Sequence, residues 1–157
     1  EVEESSPMRL AGAPNEGALV GEVLTGVPDR RLIMAAAVSW ITSGVRGVVP
    51  ALRDMKIVVT DLGGGVLGRQ SGETIYLDDD AAGYGWFVDD TPFDDSELAR
   101  TAAGDLVAAE GSAAAGKMDL LTVLTHELGH ALGEDHSDDP TDVMFDALAV
   151  SQRLEVA

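Results

Sequence analysis

The sequence predicts an α+β fold on three observations. An alanine-rich run at 29–44 has helical periodicity. Two short runs at 55–60 and 74–78 are rich in β-branched and apolar residues, as strands should be. A second helical run, 119–133, carries two of the three histidines, and the third follows it closely.

Taken in order, residues 1–28 are rich in Gly, Pro, Glu and Ser with little periodicity, so they read as a leader or linker. Both a pro-segment remnant and a junction to a preceding domain fit, and only 19–24 suggests a short strand or helical turn. From Asp29, a plausible N-cap, a helix is expected to run until Gly44 stops it, with Leu32, Ala36, Trp40 and Ser43 on one face. Trp40 reads as core packing. The run M-K-I-V-V-T at 55–60 is expected to be a buried strand, and Gly63, Gly64 and Gly65 after it a turn, since no Lys-Ser/Thr of a phosphate loop follows. Ile75 and Leu77 alternate with Tyr76 and Asp78 in the next strand. In A-A-G-Y-G-W-F-V, Gly83 and Gly85 mark a bulge or the close approach of another backbone. Residues 96–116 read as a surface loop with a short helix at 102–109, and 145–157 as a short terminal helix packing Leu148, Val150 and Leu154 inward.

The chemistry lies in D-L-L-T-V-L-T-H-E-L-G-H-A-L-G-E-D-H at 119–136, which holds every histidine of the chain. On a helix His126 and His130 project from one side a turn apart, so both imidazoles reach one ion. Leu121, Leu124, Leu128, Ala131 and Leu132 fall on the opposite face, towards the core. Glu127 stands beside His126, where its carboxylate reaches a water on the metal and reads as the general base. Asp119 is placed to cap the helix. Gly133 ends it in the left-handed conformation that Gly adopts cheaply, and His136 becomes the third ligand. Three neutral imidazoles leave one tetrahedral corner for water, the arrangement of a catalytic zinc.

The run H-E-L-G-H-A-L-G-E-D-H resembles the extended signature of the metzincin metalloproteases, and S-D-D-P-T-D-V-M after it resembles the matrixin version. The resemblance implies a zinc endopeptidase with zinc on His126, His130 and His136, Glu127 as base, Gly133 at the turn and Met144 as the Met-turn methionine. It also implies a zincin architecture: a twisted mixed sheet, a backing helix, the active-site helix and a short C-terminal subdomain after the Met-turn, with 29–157 as the catalytic domain. In metzincins an edge strand above the cleft takes the substrate as an added strand. Tyr84, Gly85, Trp86 and Phe87 are the candidates for it here. Where matrixins carry a pocket wall of Tyr-Pro-x-Tyr, this chain has Phe145, Asp146, Ala147 and Leu148, a departure that leaves the pocket's shape open.

Between Gln70 and Ala99 there are many carboxylates and no Lys or Arg. Such a density repels itself unless cations neutralise it, and hard oxygen ligands suit Ca²⁺. Matrixins have calcium-bearing loops in this region, so Asp78, Asp80, Asp90, Asp94, Asp95 and Glu97 are the candidate calcium ligands. A solvated acidic loop of a salt-adapted protein is the other reading. With every histidine used, no second histidine-bound zinc is expected.

Composition narrows the function. At 157 residues the chain is long enough for one domain and short for two. Its net charge of −18 argues against nucleic acid or an anionic membrane as partner. It has no cysteine, hence no disulfide and no thiol to plug a zinc. The best apolar run, 32–41, is too short to span a bilayer. The expectation is a monomeric zinc endopeptidase acting on peptide or protein, secreted or on a bacterial cell surface, its export signal outside this sequence. Two alternatives remain: a zinc- and calcium-stabilised interaction module of a larger bacterial surface protein with little proteolysis, and a zinc amidase on the same scaffold.

Overall fold

The computed structural model describes residues 7–157. In chain order the elements are β1 (Met8–Leu10), α1 (Arg30–Thr42), α2 (Val48–Asp54), β2 (Lys56–Thr60), β3 (Val66–Ser71), β4 (Thr74–Asp78), β5 (Trp86–Phe87), β6 (Leu98–Arg100), β7 (Leu106–Ala108), β8 (Met118–Asp119), α3 (Leu120–Ala131), β9 (Ala147–Leu148) and β10 (Gln152–Arg153). The class is α+β with a mixed main sheet in the order β2-β4-β3-β1-β9. In it β2 runs parallel to β4 and β9 parallel to β1, while the β3–β4 and β1–β3 pairs are antiparallel. No helix among the described residues is long and apolar enough to cross a membrane.

Local signals account for the helices. Asp29 caps α1 by accepting from the N–H of Arg31 at 2.7 Å, and Gly44 closes its end by donating to the carbonyl of Ile41. The face expected to be apolar is buried through Leu32, Ala36 and Trp40. Asp119 caps α3, accepting from the N–H and hydroxyl of Thr122. At the other end Gly133 has φ +92°, with its N–H donating to His130 and the Glu134 N–H to Gly129. This reciprocal pair satisfies the last carbonyls and turns the chain back along the helix.

The sheet departs from expectation in three places. The run 55–60 forms β2, yet as the outer edge strand, with Val58 exposed and Ile57 and Val59 only half-buried. Its inner neighbours are β4 and then β3, a strand whose Gly68, Arg69 and Gln70 gave no strand signal. The β3–β4 hairpin turns on Gly72 and Glu73, with Gly72 at φ +59°. Third, the expected leader is part of the fold: β1 is a strand of the main sheet, and 15–24 lies along 79–86. There Asn15 donates to Ala82, Gly21 to Tyr84 and Leu24 to Asp79, and Glu22 pairs with Trp86. The backbone of Gly21 meets that of Gly85 so closely that neither position admits a Cβ. Residues 1–6, the outer part of that leader, lie outside the described residues.

Two expected helices are replaced by short strands. Residues 102–109 contribute β7, which pairs with β6 and β10, and 145–157 contribute β9 and β10. Strands of two or three residues are defined by their partners, so local sequence does not announce them. The core joins α1, α3 and the main sheet through Met8, Leu32, Leu67, Ile75, Leu77, Leu128 and Leu148.

Candidate metal and catalytic site

The helix α3 presents His126 and His130 one turn apart, and the turn at Gly133 brings His136 to them. Nε2 of His130 lies 3.1 Å from that of His126 and 3.0 Å from that of His136. Three nitrogens each about 2.0 Å from a tetrahedral ion would stand roughly 3.3 Å apart, so the cradle fits zinc. Two of the three remaining ring nitrogens are committed: His126 Nδ1 lies 2.7 Å from the carbonyl of Val143, and His130 Nδ1 2.9 Å from that of Glu134. A carbonyl only accepts, so these Nδ1 atoms carry the proton and both Nε2 atoms are bare lone pairs facing inward. Burial lowers the His126 pKa to about 3 against the opposing bond to Val143, and burial lowers that of His130 too. Neutral imidazoles are what a metal ligand requires.

Glu127 is fully buried, its Oε2 3.9 Å from His126 Nε2. Among the described residues, neither carboxyl oxygen closes a hydrogen bond. Burial pushes its pKa up to about 8, opposed by the main-chain N–H of Met8 and by the charge of Arg69. An unsatisfied buried carboxyl beside three converging imidazoles costs stability in any purely structural role.

Residues around the site set the spacing. Met144 is buried against α3: a Cβ at Gly129 would stand 2.6 Å from Met144 Sδ and 2.6 Å from Trp40 Cζ2. Trp40 also donates its indole N–H to the carbonyl of Thr125 at 2.8 Å, so it fixes the helix as well as packing on it. On the other side, a Cβ at Gly68 would lie 2.7 Å from Val123 Cγ1 and 3.1 Å from Glu127 Oε2. Neither Gly68 nor Gly129 was singled out from the sequence, although a glycine inside H-E-L-G-H was a signal that something packs closely there. Gly129→Ala is expected to lower stability by about 1–3 kcal/mol, despite alanine's better helix propensity. A thermal melt showing a gain would contradict that packing.

The expected substrate strand is placed differently. Trp86 and Phe87 form β5, paired to β8 on one side, with Trp86 bridged to Glu22 on the other. Trp86 is fully buried and donates its indole N–H to Asp78. The Tyr84 hydroxyl donates to Ala13. This stretch therefore has no open edge for an added strand. The strand that packs on α3 beside Glu127 is β3.

The six candidate calcium ligands are not brought together. Asp78 accepts from the N–H groups of Leu62 and Ala82, and its pKa is raised, chiefly by burial. Asp80 accepts from Gly83, while Asp94 accepts from Ser96 and Thr91 and Glu97 accepts from Ser96. Among the described residues the one carboxylate group close enough to share an ion is Asp61, Asp78 and Asp79, which contains just one of the six. Part of the missing counter-charge comes from Arg153 near the end of the chain, which reaches two carboxylates of this region, Asp89 and Asp95. Its guanidinium lies 2.9 Å from Asp89, 2.8 Å from Asp119 and 3.7 Å from Asp95.

A family model described as matrixin matches residues 64–156, more than half of the chain. The match spans Glu127, all three histidines and Met144. No curated protein and no solved structure matches the chain.

Proposed function

This chain belongs to the matrixin family, and from that premise we propose that it is a zinc-dependent endopeptidase. The observation that carries the reading is the convergence of three Nε2 atoms beside a buried carboxyl that no hydrogen bond satisfies among the described residues. His126, His130 and His136 would hold the zinc. When bound, it supplies Lewis acidity, polarising the scissile carbonyl and acidifying a water. Glu127 takes the proton of the attacking water and hands it to the leaving amine. Its raised pKa belongs to the metal-free cradle, since a nearby dication favours the charged carboxylate. The carbonyls of Val143 and Glu134 hold two imidazoles in the ligating tautomer. Packing of Trp40 and Met144 against Gly129 keeps the helix at a fixed distance from the turn that follows His136.

The substrate class is peptide or unfolded protein, met outside the cell or at its surface. The zinc-loaded chain is expected to cleave casein, to stop when chelated and to resume when zinc is returned. Cleavage indifferent to chelation would remove zinc from the account. A melt of the same samples should show zinc raising the midpoint, because an ion bound only by the folded cradle stabilises it by mass action.

A further inference from the structure

We propose that the open edge of β2, with the apolar groove beside it, is a docking site for an extended acidic segment of another protein. β2 closes one side of the main sheet, and among the described residues no strand pairs with its outer side. The Lys56 N–H donates to Glu73, on the β4 side, at 2.9 Å. Main-chain groups alternate along a strand, so Val58 and Thr60 also face β4, while Ile57 and Val59 turn their N–H and C=O outward. Such a row is a template for one more strand. No proline or bulge interrupts it.

Beside this edge lies a groove of about 590 Å³ between β2, α1 and α2. Ile33 and Met34 of α1, Val49 and Leu52 of α2, and Met55 and Ile57 supply its apolar lining. Met34 and Val49 are exposed there. Side chains of an added strand alternate as those of β2 do, so every second residue of a docked segment would enter the groove beside Ile57.

Charge decides what kind of segment fits. Residues 30–59 hold five of the ten Lys and Arg and one of the 28 Asp and Glu, so this stretch is cationic on a chain of net charge −18. Arg30 and Arg53 line the groove, and Lys56 stands on the opposite face of β2 from Ile57. All three are exposed, and none has a carboxylate within ion-pair distance among the described residues. Unpaired cations around one apolar groove, on so acidic a chain, call for acid supplied from outside. A second copy meeting this face with its own would bring the same cations, so the isologous pair repels. Nucleic acid supplies the acid but no apolar side chain for the groove, and the rest of the chain repels it. The ligand is therefore an extended peptide with apolar residues at alternate positions and Asp or Glu between them and at its ends.

The probe is a fluorescent peptide alternating Val and Glu over about ten residues, long enough to span β2. The full chain should bind it, more weakly as salt rises, and should bind a Val and Lys counterpart at least about ten-fold less well. The double variant Arg53→Glu, Lys56→Glu changes two exposed positions and should weaken binding of the acidic peptide about ten-fold or more. Val59→Pro removes an outward N–H without touching the bonds to β4 and should abolish binding. Amide exchange locates the site. Ile57 and Val59 should exchange fast in the free chain and slow with the peptide bound, while Val58, bonded to β4, stays slow throughout. No binding by the full chain, equal binding by parent and double variant, or a bound peptide that leaves Ile57 and Val59 unprotected overturns the proposal. Dimers of the chain alone that the double variant dissolves would assign the face to a second copy and overturn it too. None of these readouts requires catalysis, so the proposal is tested independently of the endopeptidase reading.

Discussion

Glu127→Gln is expected to lower kcat by about 10²–10⁴ while zinc still binds stoichiometrically. The residue is not a ligand, so its loss should leave the cradle of three imidazoles intact. The same substitution should stabilise the metal-free chain. Folding holds the Glu127 pKa near 8, above its ordinary value of 4.5. The folded state thus binds a proton more tightly than the unfolded one, and stability is lost as pH rises from about 4.5 through about 8. Glutamine carries no charge and escapes that loss, although its amide is also left without partners. The gain should be about 1–3 kcal/mol at pH 7 and shrink towards zero below pH ~4.5. Urea unfolding at two pH values measures it. A variant that keeps its activity, or is less stable at pH 8 than the parent, would contradict this account of Glu127.

Arg153→Met should have the largest effect on stability, a loss of about 3–5 kcal/mol. Arg153 is buried and grips Asp119 through two nitrogens, Nε to Oδ2 at 2.8 Å and Nη2 to Oδ1 at 2.9 Å, while Nη2 also reaches Asp89. Both of those carboxylates are buried. Removing the guanidinium leaves them charged and unpaired, which costs more than the pair contributes net. Asp119 is also the cap of α3, so the damage reaches the start of the helix that carries His126 and His130. Adding Asp89→Asn to Arg153→Met should recover part of the loss, because it removes one stranded charge. If denaturant unfolding shows a loss below about 1 kcal/mol, the cluster is solvated and the ion-pair argument fails.

Legibility in the sequence followed the range of the interactions. The cap at Asp119, the turn at Gly133 and the spacing of His126, Glu127 and His130 are local, set within a turn or two of helix, and could be read directly. The same holds for α1, whose cap and apolar stripe lie within a few turns. By contrast β1 is three residues in a Gly- and Pro-rich stretch, and it is a strand only because Gly68 and Leu148 come to lie on either side. The acidic region showed no counter-charge because Arg153 arrives from the far end of the chain. The terminal residues have helix-compatible side chains, yet long-range pairing with β1 and β7 wins over their propensity. Glycines at 68 and 129 were visible, but the Met144, Trp40 and Glu127 side chains that require them were not.

The account stands on one ion held by three imidazoles with a corner free for solvent. X-ray absorption at the zinc edge of the loaded protein addresses this directly. The expected spectrum has three imidazole nitrogens and one light-atom ligand from solvent, with the imidazole count falling to two in His136→Ala. A spectrum with fewer than three imidazoles in the unmodified chain, or one left unchanged by His136→Ala, would contradict it.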